Sequence, residues 1–229
     1  SSDVCSSDLV QYQDFFWSYY QTDRFSVYYY LGGQDLGKFT IIEADKEIES
    51  VENALEYKLN DRVDIIIYNN LSDLKQSNIG VTVEQENAGG TTKIIGNKMF
   101  VYFNGDHNDL LRQIREGIAK ISLDNMMFGS NIQEVLQNAV LLNLPPWFTE
   151  GLASYIGESW NTDLDNQLRN GILSGRYKNF SKLTGDDARF AGHALWHYIE
   201  KNYGATSIPN ILYLTRIDRK STRLNSSHL

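Results

Sequence analysis

Two acidic residues, Glu116 and Glu150, stand in neighbouring segments that the sequence predicts to be helices. In the first segment, NDLLRQIREGIAKIS, five apolar residues recur at helical spacing and mark a buried face: Leu110, Leu111, Ile114, Ile118 and Ile121. Arg115 and Ala119 lie four residues apart beside this stripe, which is the spacing at which two helical side chains can share a metal ion. Alanine has no donor atom, and a guanidinium carries its own positive charge. The helix therefore has the spacing of a metal site without the ligands.

The second segment, PPWFTEGLASYIGE, follows a double proline and reads Trp-x-x-Glu-Gly-x-Ala from Trp147 to Ala153. In this order the two segments resemble the catalytic region of gluzincin metallopeptidases. Those proteins carry His-Glu-x-x-His on one helix and Trp-x-x-Glu-Gly-x-Ala on a following one. The second motif matches completely, and the first does not.

The resemblance assigns a former role to each position. Glu116 corresponds to the general base and Glu150 to the third zinc ligand, while Arg115 and Ala119 replace the two histidines. We therefore predict a vestigial metal site at Arg115, Ala119 and Glu150, with zinc lost and no catalytic residue. Glu116 and Glu150 are its vestigial catalytic groups.

Two arrangements of Arg115 remain open from the sequence. In a charge-replacement hypothesis, its guanidinium fills the place of the metal and neutralises Glu150, which would otherwise risk being a buried unpaired carboxylate. In the alternative, Arg115 points to solvent and pairs with surface acids. For Glu116, Arg112 and Lys120 lie four residues to either side, so we predict a surface ion-pair role.

His193 and His197 form the other helical pair of possible ligands, in the segment GHALWH. They carry the rival hypothesis, a working zinc peptidase with a relocated metal held by these histidines and Glu116 or Glu150. No carboxylate lies within that segment, and Leu195 with Trp196 indicates packing. We therefore predict structural histidines.

Aromatic residues of the second motif suggest a retained binding surface. Trp147, Phe148 and Tyr155 could line a cleft that holds an extended peptide along the edge of the sheet. The sequence thus leaves three hypotheses: a non-catalytic binding or scaffold module, a zinc peptidase with a relocated metal, and a purely structural domain without a ligand. The third has the least support.

The positioning elements follow from hydrophobic periodicity. Strands are predicted at 25–31, 63–69 and 98–104, with IGVTVEQ and TTKIIG as further strands, and a long amphipathic helix spans about 35–60. Ser72 is expected to cap a short helix at 71–77, and Asn108 or Asp109 the helix that carries Arg115. Further helices are predicted at 131–143, with Ser130 and Gln133 as a capping box, from Pro146, at 163–173, from Thr184 to Asn202, and from Pro209. Residues 10–24 are an aromatic segment that we expect to pack on the sheet edge.

Both ends of the chain resemble translated sequencing-adapter remnants. We exclude residues 1–9 and 219–229 from fold reasoning and treat 10–218 as one domain, with a sheet-rich part at 10–108 and a helical part at 109–218. The full chain has a formal net charge of −8, and its single cysteine, Cys5, lies in an excluded end. An acidic chain without a basic run is not typical of nucleic-acid-binding proteins. The sequence contains no apolar run of about 18 or more residues, which is the length that would predict a transmembrane helix.

The fold class predicted is α+β, with a mixed β-sheet and a long helix in the N-terminal half and an all-helical C-terminal half. The order of elements resembles the peptidase-MA-like (gluzincin, zincin-like) domain that precedes TolB-like β-propellers in bacterial envelope proteins. The resemblance implies an exported, periplasmic or envelope-associated protein with a C-terminal propeller. It also implies a scaffold or binding module for an unknown protein or peptide.

Overall fold

A computed structural model of the chain describes residues 15–76, 93–129 and 144–226. The N-terminal half contains a five-stranded mixed sheet in the order β1-β2-β3-β5-β4. Its strands are β1 (Ser18–Gln21), β2 (Phe25–Tyr29), β3 (Val63–Tyr68), β4 (Lys93–Ile95) and β5 (Lys98–Tyr102). The three central strands are parallel, with Val27 opposite Ile65 and Ile65 opposite Met99, and both edge strands are antiparallel.

Alternation along the strands divides the sheet into two faces. One face joins the main core through residues such as Val27, Ile65 and Met99, where it meets the long helix α1 (Gln34–Leu55). The other face carries an aromatic cluster that includes Tyr30, Tyr68 and Phe100, beside the short helix α2 (Leu71–Gln76).

The C-terminal half is helical in its described residues. It consists of α3 (His107–Phe128), α4 (Pro146–Gly157), α5 (Thr162–Leu173), a 3-10 turn (Phe180–Lys182), α6 (Gly185–Tyr203) and α7 (Ser207–Ser226). The predicted α+β class is confirmed, with its mixed sheet and long helix followed by helices. No helix in the described part combines the length and apolar character needed to cross a bilayer.

Helices α4 and α6 cross at a pair of glycines, Gly151 and Gly192. A Cβ atom on Gly151 would overlap the backbone of Gly192, and one on Gly192 would overlap the Trp147 carbonyl. The glycine of the Glu-Gly-x-Ala motif therefore lets these two helices approach at backbone distance. That approach brings side chains of α6 close to those of α3 and α4.

Several predicted boundaries shift for local reasons. The aromatic segment before β2 contains β1, which was missed because four residues without apolar alternation give a weak strand signal. Its rings do pack on the sheet, since Phe15 and Trp17 contact Tyr30. The helix α1 ends at Leu55, not near residue 60, because Glu56 adopts a left-handed conformation with φ of 48°.

Two caps also differ from expectation. Asp106 caps α3 by accepting a hydrogen bond from the Asn108 amide at 2.8 Å, so neither Asn108 nor Asp109 is the cap. Asn70, not Ser72, accepts from the Asp73 amide at the start of α2.

Other predicted boundaries are confirmed in part. Pro146 does begin α4, and α6 ends at Tyr203, one residue after the predicted end; its N-cap residue Thr184 makes no side-chain cap bond. The last helix begins at Ser207, two residues before Pro209, and continues into the excluded end as far as Ser226. The predicted strand at 79–85 and the predicted helix at 131–143 lie outside the described residues.

Candidate functional site

Glu116 lies in the interior of the protein, at the junction of α3, α4 and α6. Glu116 is only 4 % exposed, so the prediction that it forms an ion pair at the surface is wrong. Its Oε1 atom accepts a hydrogen bond from Arg112 Nη1 at 3.1 Å and another, shorter one from Arg189 Nη2 of α6. The expected pairing with Arg112 is present, whereas Arg189 takes the place expected for Lys120.

The end of α4 covers the Glu116 side chain. A Cβ atom on Gly157 would overlap Glu116 Cγ, so the absence of a side chain there makes room for the carboxylate arm. Arg112 also pairs with Asp109, and Arg189 is itself 5 % exposed. Two acids and two arginines thus form a charge-balanced network, and charge balance with hydrogen bonds is what a buried carboxylate requires.

Arg115 points away from this network, towards α1. Its Nε and Nη2 atoms donate to the two carboxylate oxygens of Glu47, at 2.6 and 2.9 Å. The charge-replacement hypothesis, in which Arg115 neutralises Glu150, is therefore wrong. The outcome is closer to the alternative, because the Arg115 side chain is 34 % exposed and pairs with an acid near the surface.

Glu150 is neutralised by a different cation. Its Oε1 atom accepts from Lys120 Nζ at 2.6 Å, which joins α4 to α3. Asp124 lies one turn beyond Lys120 on α3 and shares this environment. Burial raises the pKa of Asp124 to about 6; the Lys120 ammonium opposes that shift, and the Glu150 carboxylate adds to it.

Ala119, the second residue of the predicted vestigial site, is 2 % exposed and belongs to the main hydrophobic core. It supplies packing surface and no donor atom. The three positions of the predicted vestigial site thus make three different kinds of contact. Arg115 binds α1, Ala119 packs in the core, and Glu150 binds Lys120.

His193 is fully buried between α4 and α6. Its Nδ1 atom lies 3.0 Å from Ser154 Oγ, and the rings of Tyr155 and Trp160 pack against it. Burial, with the positive charge of Arg189 and the neighbouring His197, lowers the pKa of His193 to about 3. Since Ser154 is buried as well, this serine–histidine pair has no exposed face for a substrate and joins two helices.

His197 stacks on Trp160, with ring centroids 5.0 Å apart and an interplanar angle of 6°. The described residues contain no group of three or more His, Cys, Asp or Glu side chains close enough to hold a metal ion. A cation at His193 would also meet the guanidinium of Arg189. The described side-chain contacts of the two histidines are thus ring packing and, for His193, the hydrogen bond with Ser154.

The three aromatic residues of the predicted cleft do not share one surface. Phe148 is buried and packs edge-on against Trp196, so it cannot line a cleft. Trp147 packs against Phe180 of the 3-10 turn. Only Tyr155 lines a described pocket, where its hydroxyl donates to Glu200 of α6.

Sequence reasoning missed four residues that surround the candidate site. Arg189 pairs with Glu116, Glu47 pairs with Arg115, Ser154 bonds to His193, and Asp124 lies near Lys120 and Glu150. A weak signal existed for one of them, because Arg189 is one of only two cations, with Lys201, on the helix predicted from Thr184 to Asn202, and it lies one turn before His193. Nothing in the sequence indicated that α6 would bring it to Glu116.

Comparison with models of known protein families finds no match for this chain. Comparison with curated proteins likewise finds no significant relative.

Proposed function

We propose that this chain is a catalytically inactive, metallopeptidase-like domain that serves as a scaffold or as a peptide- or protein-binding module. One observation carries the proposal: each motif carboxylate is already neutralised by protein cations. Glu116 is held by Arg112 and Arg189, and Glu150 by Lys120.

These ion pairs oppose both requirements of zinc-dependent hydrolysis, which are binding of the metal ion and deprotonation of water by a general base. A catalytic zinc needs three neutral or anionic protein ligands and an open position for water. Arg115, Ala119 and Lys120 supply no neutral or anionic ligand. The three cations that pair with Glu116 and Glu150, which are Arg112, Arg189 and Lys120, would also repel a divalent metal ion. A general base must also reach the water that it deprotonates, whereas Glu116 is enclosed by α4 and α6.

The remaining parts of the proposal rest on the resemblance of the motifs. A zincin-like origin of the fold, an envelope location, and a β-propeller elsewhere in the parent protein remain predictions. The arrangement of a mixed sheet followed by helices is compatible with them.

The test is zinc content together with stability and hydrolysis. We expect purified protein, dialysed without chelator, to hold far less than one zinc per chain by elemental analysis. Added zinc should leave its melting temperature unchanged, because a ligand that does not bind the native state cannot stabilise it. We expect no cleavage of a fluorogenic casein substrate.

Stoichiometric zinc with hydrolysis would overturn the proposal. In that case His193→Asn and His197→Asn identify the relocated site, because loss of zinc in either variant assigns that histidine as a ligand. Glu116→Gln separates the roles further. An enzyme that used Glu116 as its base would keep its zinc in this variant and lose hydrolysis.

A further inference from the structure

A small pocket opens where the C-terminal end of α1 meets the junction of α6 and α7. Its volume is about 130 Å³, which holds the end of one side chain and not a whole peptide. Part of its wall is apolar, formed by Ala54, Ala205, Ile208 and Pro209.

The charged groups of this pocket are all acidic. Glu56 and Glu200 line it, and none of the nine described residues around it is a lysine, arginine or histidine. Tyr155 donates its hydroxyl to Glu200 Oε2, which fixes that carboxylate in place and leaves Glu200 Oε1 free of any described hydrogen bond. Burial and the Glu200 carboxylate both raise the pKa of Tyr155, so it stays a neutral donor.

The helix that ends at the pocket adds to the negative potential. The aligned peptide dipoles give the C-terminal end of a helix a partial negative charge, which basic residues usually offset. The last turn of α1 has no basic residue, and Glu56 itself is the C-cap. The chain as a whole has a formal net charge of −8.

We infer that this pocket binds one basic side chain, a lysine or an arginine, of a partner polypeptide. The apolar wall accommodates the methylene stem, and the two carboxylates receive the charged end in charge-assisted hydrogen bonds. This inference rests on the proposed binding role and specifies it: the partner presents a basic residue to the end of α1.

Nuclear magnetic resonance titration of the full chain tests the inference. The probe is acetyl-Gly-Arg-Gly-amide. The matched control peptide has citrulline in place of arginine, which keeps nearly the same shape and removes the charge. We expect saturable shifts of the Glu56, Tyr155 and Thr206 amides with the arginine peptide, with a dissociation constant on the order of 10 mM. The citrulline peptide should bind at least about threefold more weakly.

Charge variants identify the site. Glu200→Gln and Glu56→Gln should each weaken binding about threefold or more, whereas Glu43→Gln removes the same charge several turns earlier on α1 and should not. Tyr155→Phe keeps the Glu200 charge, so it should retain binding if that charge is responsible. Absence of saturable shifts, or equal binding of the citrulline peptide, would overturn the inference.

The two proposals fail separately. Zinc binding or hydrolysis by the chain would contradict the inactive role and leave the arginine titration unaffected. A failed titration in a zinc-free, inactive protein would remove this pocket and leave the inactive role standing.

Discussion

Replacing Glu116 by glutamine tests the buried network most directly. The amide keeps the shape of the side chain and removes its charge. Arg189 then loses its ion-pair partner among the described residues, at a position only 5 % exposed, and Arg112 keeps Asp109. Removing one partner of a buried pair costs about 3–5 kcal/mol, since it leaves an uncompensated charge.

The matched control is Glu47→Gln, which breaks the Arg115 pair on the other side of α3. That pair is partly exposed and screened by solvent, so its loss should cost at most about 1 kcal/mol. With an unfolding slope of about 2–3 kcal/mol per M urea, Glu116→Gln should lower the urea midpoint by about 1–2 M. The control should lower it by about 0.5 M or less.

A double-mutant cycle with Arg189→Met assigns the effect to the pair. Coupling of at least about 1 kcal/mol is expected between Glu116→Gln and Arg189→Met. Equal losses in the Glu116 and Glu47 variants, or no coupling, would refute the buried network. An active-site base behaves differently, because its removal often leaves stability unchanged or increased.

Three further outcomes follow from the same region. Gly192→Ala should destabilise the protein by about 1–3 kcal/mol in urea unfolding, because the new methyl group overlaps the Trp147 carbonyl; a neutral or stabilising result would contradict the close helix crossing. Unfolded histidine takes up a proton near pH 6.5, whereas folded His193 stays neutral to about pH 3. Stability should therefore fall as the pH falls from 6.5 towards 3, by up to about 1.4 kcal/mol per pH unit, and His193→Asn should show a shallower fall. Asp124 has the opposite sign, since its folded pKa of about 6 exceeds its unfolded value of 3.8. Asp124→Asn should stabilise the protein by about 1 kcal/mol at pH 7 and lose that gain by pH 4; an equal gain at both pH values would exclude titration of Asp124 as the cause.

Much of the fold could be predicted from local patterns. Apolar patterns located α1, β3, β5 and the helix of Glu116 within a few residues: a helical period marks a helix with one buried face, and a continuous apolar run such as VDIIIYN marks a central strand. Turn and cap chemistry was less reliable. Asp106 and Asn70 cap helices at positions next to other capable residues, and the sequence offers several acceptors there.

The partners of the charged residues could not be predicted in the same way. Arg115 pairs with Glu47 at a separation of 68 residues, and Glu116 with Arg189 at a separation of 73. Periodicity assigns a residue to a helix face, but it does not say which helix packs on that face. Long arginine and lysine side chains also reach in several directions, so the nearest acid along the chain is a poor guide.

The sequence by itself determined that positions 115 and 119 carry no pair of metal-ligand side chains, because Ala119 has no donor atom and the Arg115 guanidinium carries its own positive charge. It also determined the α+β order of elements through periodicity. Only the tertiary structure decided that Glu116 is buried and that Lys120, not Arg115, neutralises Glu150. The physical reason is that α4 packs between α3 and α6: its contact with α3 places Glu150 beside Lys120, and its close crossing with α6 at Gly151 and Gly192 brings Arg189 towards Glu116.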